Sequence, residues 1–153
     1  MRFLPILVLL LSSIPQLSLA RIGETIGECE LRYGPATGRI SADEIPFYRS
    51  HVVIVVHLRA GRSIREDFGP ESGGILSEEQ IADFLGQNSE GSTWEISGET
   101  PTYTTYLRKD LRAIAQVAKP NTSGEGNIKL TVAGAELIVK YTSTAARELA
   151  APR

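Results

Sequence analysis

The chain has a single cysteine, Cys29, among 153 residues, so no intrachain disulfide can form and a disulfide-knit miniprotein is excluded. Runs of lysine or arginine are missing too. Its 16 basic and 18 acidic residues give a net charge of −2, and they are interleaved, without the footprint that phosphates or anionic lipid require. Nucleic-acid binding is therefore disfavoured. Only a fold that gathered Arg59, Arg62, Arg65 and Arg108 on one face would restore it, and Glu66 and Asp67 lie among them. Past residue 20 no apolar stretch approaches the roughly 20 residues that cross a bilayer. There is no G-x-S-x-G, P-loop, dinucleotide fingerprint, HExxH or CxxC, so no cofactor or metal is implied and no activity is legible as a motif.

What is present begins with a leader. Met1-Arg2 is a short positive start, Phe3 to Leu11 is almost wholly apolar, and Ser18-Leu19-Ala20 places small residues where a signal peptidase reads. Residues 1–20 are expected to be a signal peptide cleaved after Ala20, which sends the protein to a secreted or periplasmic location. Ser12, Ser13, Pro15 and Gln16 interrupt the apolar run before it could serve as an anchor. No cysteine adjoins the cleavage site to take a lipid. Cleavage removes one arginine and no acid, leaving 133 of 153 residues and moving the charge from −2 to −3. That length suits one domain, over 21–142, with a core sufficient without staples. Residues 143–153 read as a flexible tail.

The strongest strand signal is Val52 to Leu58, followed by Arg59-Ala60-Gly61-Arg62 and a partner from Ser63 to Phe68; we read it as the central hairpin. Val52, Ile54, Val56 and Leu58 face one way, and His51, Val53, Val55 and His57 the other. Both faces are largely apolar, which predicts an interior strand opposite Ile64, Glu66 and Phe68. Before it, Thr25-Ile26-Gly27-Glu28 has the spacing of a capping box, and Gly34-Pro35 that of a left-handed stop, bracketing a two-turn helix. Ala36 to Pro46 is a polar connector leading to an edge strand at Pro46–Arg49. Ser77-Glu78-Glu79-Gln80 is a second capping box, with Leu76 and Ile81 as a staple and Gly86 as the stop. Strands follow at Thr93–Ile96, Tyr103–Arg108, Leu111–Ala118, Ile128–Val132 and Ala135–Thr142, with tight connections at Lys109-Asp110 and Ala133-Gly134 and a long one from Lys119 to Asn127. The expected fold is α+β, an antiparallel sheet of about six to seven strands with two short capped helices packed on it. The two halves share a plan of capped helix, glycine stop and strands, which suggests an internal duplication.

Residues able to carry chemistry are few. Cys29 is a possible reactive thiol, but its place on the apolar stripe of a short helix favours a buried one. His51 and His57 stand six residues apart, about 20 Å along a strand, too far to share an ion. His57 is expected to end a strand with its ring satisfied. The acids Glu66, Asp67, Glu71, Glu95 and Glu99 show no spacing that specifies a glycosidase pair. Asn121-Thr122-Ser123 fits the glycosylation pattern, which has meaning only in a eukaryotic source. Trp94, Tyr103 and Tyr106 are the candidate binding residues, because an aromatic left exposed by strand alternation is a natural contact for a peptide or protein. Tyr141 belongs with them or with the core.

The run from Gly23 to Pro35, Gly-Glu-Thr-Ile-Gly-Glu-Cys-Glu-Leu-Arg-Tyr-Gly-Pro, followed by a hairpin, resembles small secreted bacterial proteins of unknown function. Leu76 to Ile81 and Trp94 are similar as well. More distantly, the short helix, Gly-Pro stop and hairpin resemble the β-lactamase-inhibitor-like domains of bacterial envelope lipoproteins. The lipid-bearing cysteine of that family is absent here, so anchoring and partner do not carry over. Together these readings lead to a non-catalytic secreted or periplasmic module that binds a protein or peptide through its sheet. The alternative is a small secreted hydrolase whose catalytic groups converge only in the fold.

Overall fold

A computed structural model describes residues 22–119, 130–134 and 137. The leader, residues 120–129 with the Asn121 glycosylation pattern, Tyr141 and the tail lie outside the described residues. The element order is α1 (Ile26–Tyr33), β1 (Glu44–Arg49), β2 (Val52–Arg59), β3 (Arg62–Pro70), α2 (Glu78–Gln87), β4 (Trp94–Glu99), β5 (Tyr103–Arg108), β6 (Ala113–Ala118) and β7 (Leu130–Gly134). All seven strands join one antiparallel sheet in the order β1-β2-β3-β7-β6-β5-β4. The fold is α+β and mostly sheet.

The expected hairpin is β2–β3, but it is not central. The chain returns after β6 and inserts β7 between β3 and β6, so the middle of the sheet belongs to Leu130 and Val132, both fully buried. The tight connection expected at Ala133-Gly134 is instead the end of this strand, paired with Ile114 and Ala113. Leu137, the one described residue of the strand expected over 135–142, is helical. Ala60 and Gly61 close the hairpin with φ of +50° and +74°, the left-handed pair that matches strand twist. Ser50 and His51 close β1–β2 the same way, at +50° and +65°, although neither residue type announces such a turn. A bulge opposite His57 and Leu58 leaves Ile64 unpaired. One added residue reverses the alternation, so Ser63 is buried where Ile64 was expected, and Ile64 is half-buried.

Both helices begin as their capping boxes require: Thr25 Oγ1 accepts from the Glu28 amide and Ser77 Oγ from the Gln80 amide, each reciprocated. Their ends differ from expectation. Gly34 has φ +91° but ψ −177°, positive yet not left-handed helical, because the following Pro35 pushes its predecessor toward extended ψ. In α2 the chain continues through Gly86 and stops at Asn88, whose N–H donates to the carbonyls of Phe84 and Leu85. Eight- and ten-residue helices are unstable alone. Burial of Phe84 and Leu85, at about 1.5–3 kcal/mol for each such side chain, holds α2, while Cys29 and Tyr33 anchor α1.

Both helices occupy one face of the sheet. Phe68 of β3 touches Tyr33 of α1 (ring centroids 6.4 Å apart) and Phe84 of α2 (4.3 Å), with Phe47, Ile54, Val56 and Val132 beneath. This arrangement decides the question of duplication. In the sheet β1 and β4 run in the same direction, yet β1-β2-β3 and β4-β5-β6 advance toward each other with their helices on the same side. Such units are mirror images in topology, and no rotation superposes them. The shared plan of the two halves is not a repeated fold.

Candidate functional site

The sheet has a second face, opposite α1 and α2, and the register resolves it into rows. One row runs Glu44, His57, Arg65, Ala133, Ile114, Leu107 and Glu95; the next runs Pro46, Val55, Asp67, Thr131, Gln116, Thr105 and Gly98. Beyond these, Tyr48 and Val53 lie toward one edge and Ala118 and Tyr103 toward the other. The middle of this face is buried at Ala133, Ile114 and Thr105. Its flank on β1–β3 is not: Val53, Val55, His57, Arg65 and Asp67 are half-buried and Tyr48 is exposed.

Asp67 organises that flank. Its Oδ1 accepts from Arg65 Nε at 2.9 Å and from Thr131 Oγ1 at 2.7 Å, while Oδ2 receives Arg65 Nη2 and lies 2.9 Å from His57 Nε2. Burial pushes the Asp67 pKa up, but the Arg65 fork, the Thr131 hydroxyl and His57 outweigh it and hold the carboxyl below the ordinary range. On its other side His57 places Nδ1 at 3.3 Å from Glu44 Oε1. One imidazole thus stands between two carboxylates. Among the described residues no group of three or more histidine, cysteine or acidic side chains is arranged to hold a metal ion.

A different polar cluster lies under the helices. Glu66, fully buried on β3, accepts from the Tyr33 hydroxyl at 2.9 Å and from Asn88 Nδ2 at 3.3 Å, with Arg32 Nη1 at 3.5 Å. Arg32 also pairs with Glu24, which is brought in because Ser63 Oγ accepts from the amides of Gly23 and Glu24. Burial disfavours the charge on Arg32, yet Glu66, Tyr33 and Glu24 more than offset it and raise its pKa. The Tyr33 pKa is raised by burial first and by Glu66 second. Asn88 extends the cluster, since its carbonyl accepts from Arg108 Nη1 at 2.8 Å, and Arg108 also bonds Asp110 and Glu90. These contacts tie α1, α2, β3 and β5 together around the buried charges of Glu66 and Arg108.

The residues singled out from sequence do not converge. Cys29 is buried beside Arg32 on the helix face, and burial, then Glu66, pushes its thiol up to about 12, which disfavours the thiolate, the nucleophilic form. Trp94 and Tyr106 pack against the core on the helix face, where the Trp94 indole N–H donates to the Leu85 carbonyl at 2.8 Å. Tyr103 alone of the three is exposed, on the second face. His51 sits in the β1–β2 turn and His57 on β2. Arg65 and Arg108 belong to opposite faces. Sequence reading missed the Asp67–His57–Glu44 grouping, whose members come from three strands. Alternation gave a partial signal, because His57, Val55 and Val53 share a face.

No family model matches the chain, and no curated protein matches it. Among solved structures it is similar to a cysteine-rich secretory protein from Staphylococcus aureus subsp. aureus Mu50, at 14% identity and a TM-score of 0.48. The similarity covers 76% of this chain and 46% of that one, so the chain spans under half the length of that protein.

Proposed function

We propose that this is a secreted or periplasmic, non-catalytic module that binds a protein or peptide through the second face of its sheet. The observation that carries the reading is the segregation of α1 and α2, the helices delimited among the described residues, to one side. The other side is left with Val53, Val55 and Pro46 half-buried around a fixed polar grouping, and with Tyr48 and Tyr103 exposed. The face is favoured over the edges, because both edges are blunted against strand addition. Pro46 interrupts the donors of β1, and β4 carries a bulge between Ile96 and Gly98 beside Glu95 and Glu99. A leader over residues 1–20 accounts for the compartment.

The hydrolase reading draws on one observation, the His57–Asp67 pair at 2.9 Å. Against it, the other ring nitrogen faces a second carboxylate instead of a hydroxyl or thiol, and Cys29 lies on the opposite face with its thiol raised. A photo-crosslinking amino acid at position 55, compared with one at Glu79 on the exposed side of α2, tests the binding reading in the native compartment. A discrete protein adduct at 55 and none at 79 is expected. Adducts at 79 alone, or at neither position, would sink it.

A further inference from the structure

We propose that His57 is a proton-operated clasp that fastens the start of edge strand β1 to the interior of the sheet. The inference does not depend on the binding reading. The ring lies between carboxylates of two different strands, with Nε2 2.9 Å from Asp67 Oδ2 on β3 and Nδ1 3.3 Å from Glu44 Oε1 on β1. Among the described residues, the charged groups seen facing this grouping are Glu44 from β1 and Asp67 and Arg65 from β3, while β7 contributes the neutral Thr131 hydroxyl.

A neutral imidazole has one N–H and one bare nitrogen, so it can donate to only one of its two carboxylates. Asp67 takes that bond, being closer and held as a carboxylate by Arg65 and Thr131. The bare Nδ1 then meets Glu44 lone pair to lone pair, and Glu44, whose side chain is 38% exposed, swings to water. Uptake of one proton at Nδ1 supplies the missing donor. Over Glu44, Asp67, Arg65 and His57 the formal charge then moves from −1 to 0.

Closing the clasp has a mechanical consequence. The Glu44 carbonyl accepts from the amides of Ile40 (3.0 Å) and Ser41 (3.4 Å), and the Asp43 carbonyl from Leu58 (2.8 Å). Fixing Glu44 therefore fixes the 40–44 turn, which carries the exposed Ile40.

The test is an NMR titration of the chain labelled at histidine and glutamate, with amide exchange read at Ile40 and Ser41. The neutral ring should show the Nε2–H tautomer. On acidification the Glu44 side-chain carboxyl should shift with the midpoint of the His57 ring, and exchange at Ile40 and Ser41 should slow by about two- to fivefold, as expected of a partly exposed ion pair. Glu44→Gln should abolish the slowing while the ring still titrates. His51→Asn should leave it intact, which separates His57 from the other histidine. His57→Gln is a second route to abolition, and Glu44→Gln carries the test if that variant does not fold. A Glu44 signal indifferent to the His57 titration, or slowing that survives Glu44→Gln, overturns the proposal.

Discussion

Replacing Tyr33 with phenylalanine deletes one oxygen from the interior and keeps the ring, so its packing on Phe47 (centroids 5.7 Å) and Phe68 (6.4 Å) persists. What is lost is a hydroxyl that donates to Glu66 Oε2 and accepts from Arg32 Nη1, each at 2.9 Å. Water cannot substitute, because Glu66 is fully buried. The remaining partners of that carboxylate stand farther off, Asn88 at 3.3 Å and Arg32 at 3.5 Å. A hydrogen bond to a charged group contributes about 1.5–3 kcal/mol, so Tyr33→Phe should cost about 2–3 kcal/mol. Urea unfolding followed by Trp94 fluorescence reads this as a lower midpoint at unchanged slope; the indole reports on α2 through its bond to Leu85. A double-mutant cycle with Glu66→Gln should give a coupling of about 1 kcal/mol or more. A loss below about 0.5 kcal/mol, or simple additivity, would refute the view that Glu66 is held by Tyr33.

Cys29, with its thiol pushed up to about 12 by burial, should resist aromatic disulfide reagents at pH 8 until urea unfolds the chain; prompt labelling of the native protein contradicts its placement. Ala60→Asn puts the preferred residue at a φ of +50° in a two-residue hairpin turn and should raise stability by up to about 1 kcal/mol, measured by thermal unfolding. Asp67 has a depressed pKa, so its contribution is complete above the unfolded-state value near 3.9 and is lost as pH falls through the folded-state value. The stability gap between wild type and Asp67→Asn should accordingly shrink below about pH 4, and a gap that stays constant into acid would show that Asp67 is not held as described.

Local signals made the helix starts legible, because a capping box is complete within four residues, as at Thr25–Glu28 and Ser77–Gln80. The strands from Pro46 to Val132 were also legible, down to the edge role of the Pro46 strand, but the strand expected over 135–142 was not, since Leu137, its one described residue, is helical. Sheet order was not. The insertion of β7 between β3 and β6 is a long-range choice that leaves no periodic mark, and the bulge at Ile64 reverses a pattern that otherwise reads correctly. Glu66 illustrates the same limit from the side of chemistry: on a strand pattern it is one polar residue among several, and its burial is set by Tyr33, Asn88 and Arg32 arriving from two helices. The burial that both faces of β2 demand was anticipated, and it is met fully on the helix face but only partly on the other.

That partial burial is where the functional account rests, and β2 itself can test it. Single cysteines introduced from Val52 to His57 in a Cys29→Ser background, with thiol-labelling rates measured on the native protein, read the exposure of each face directly. The account predicts a period of two, with positions 53, 55 and 57 reactive and 52, 54 and 56 protected. Protection at both 53 and 55 would mean that the second face is covered within the chain and is not available to a partner.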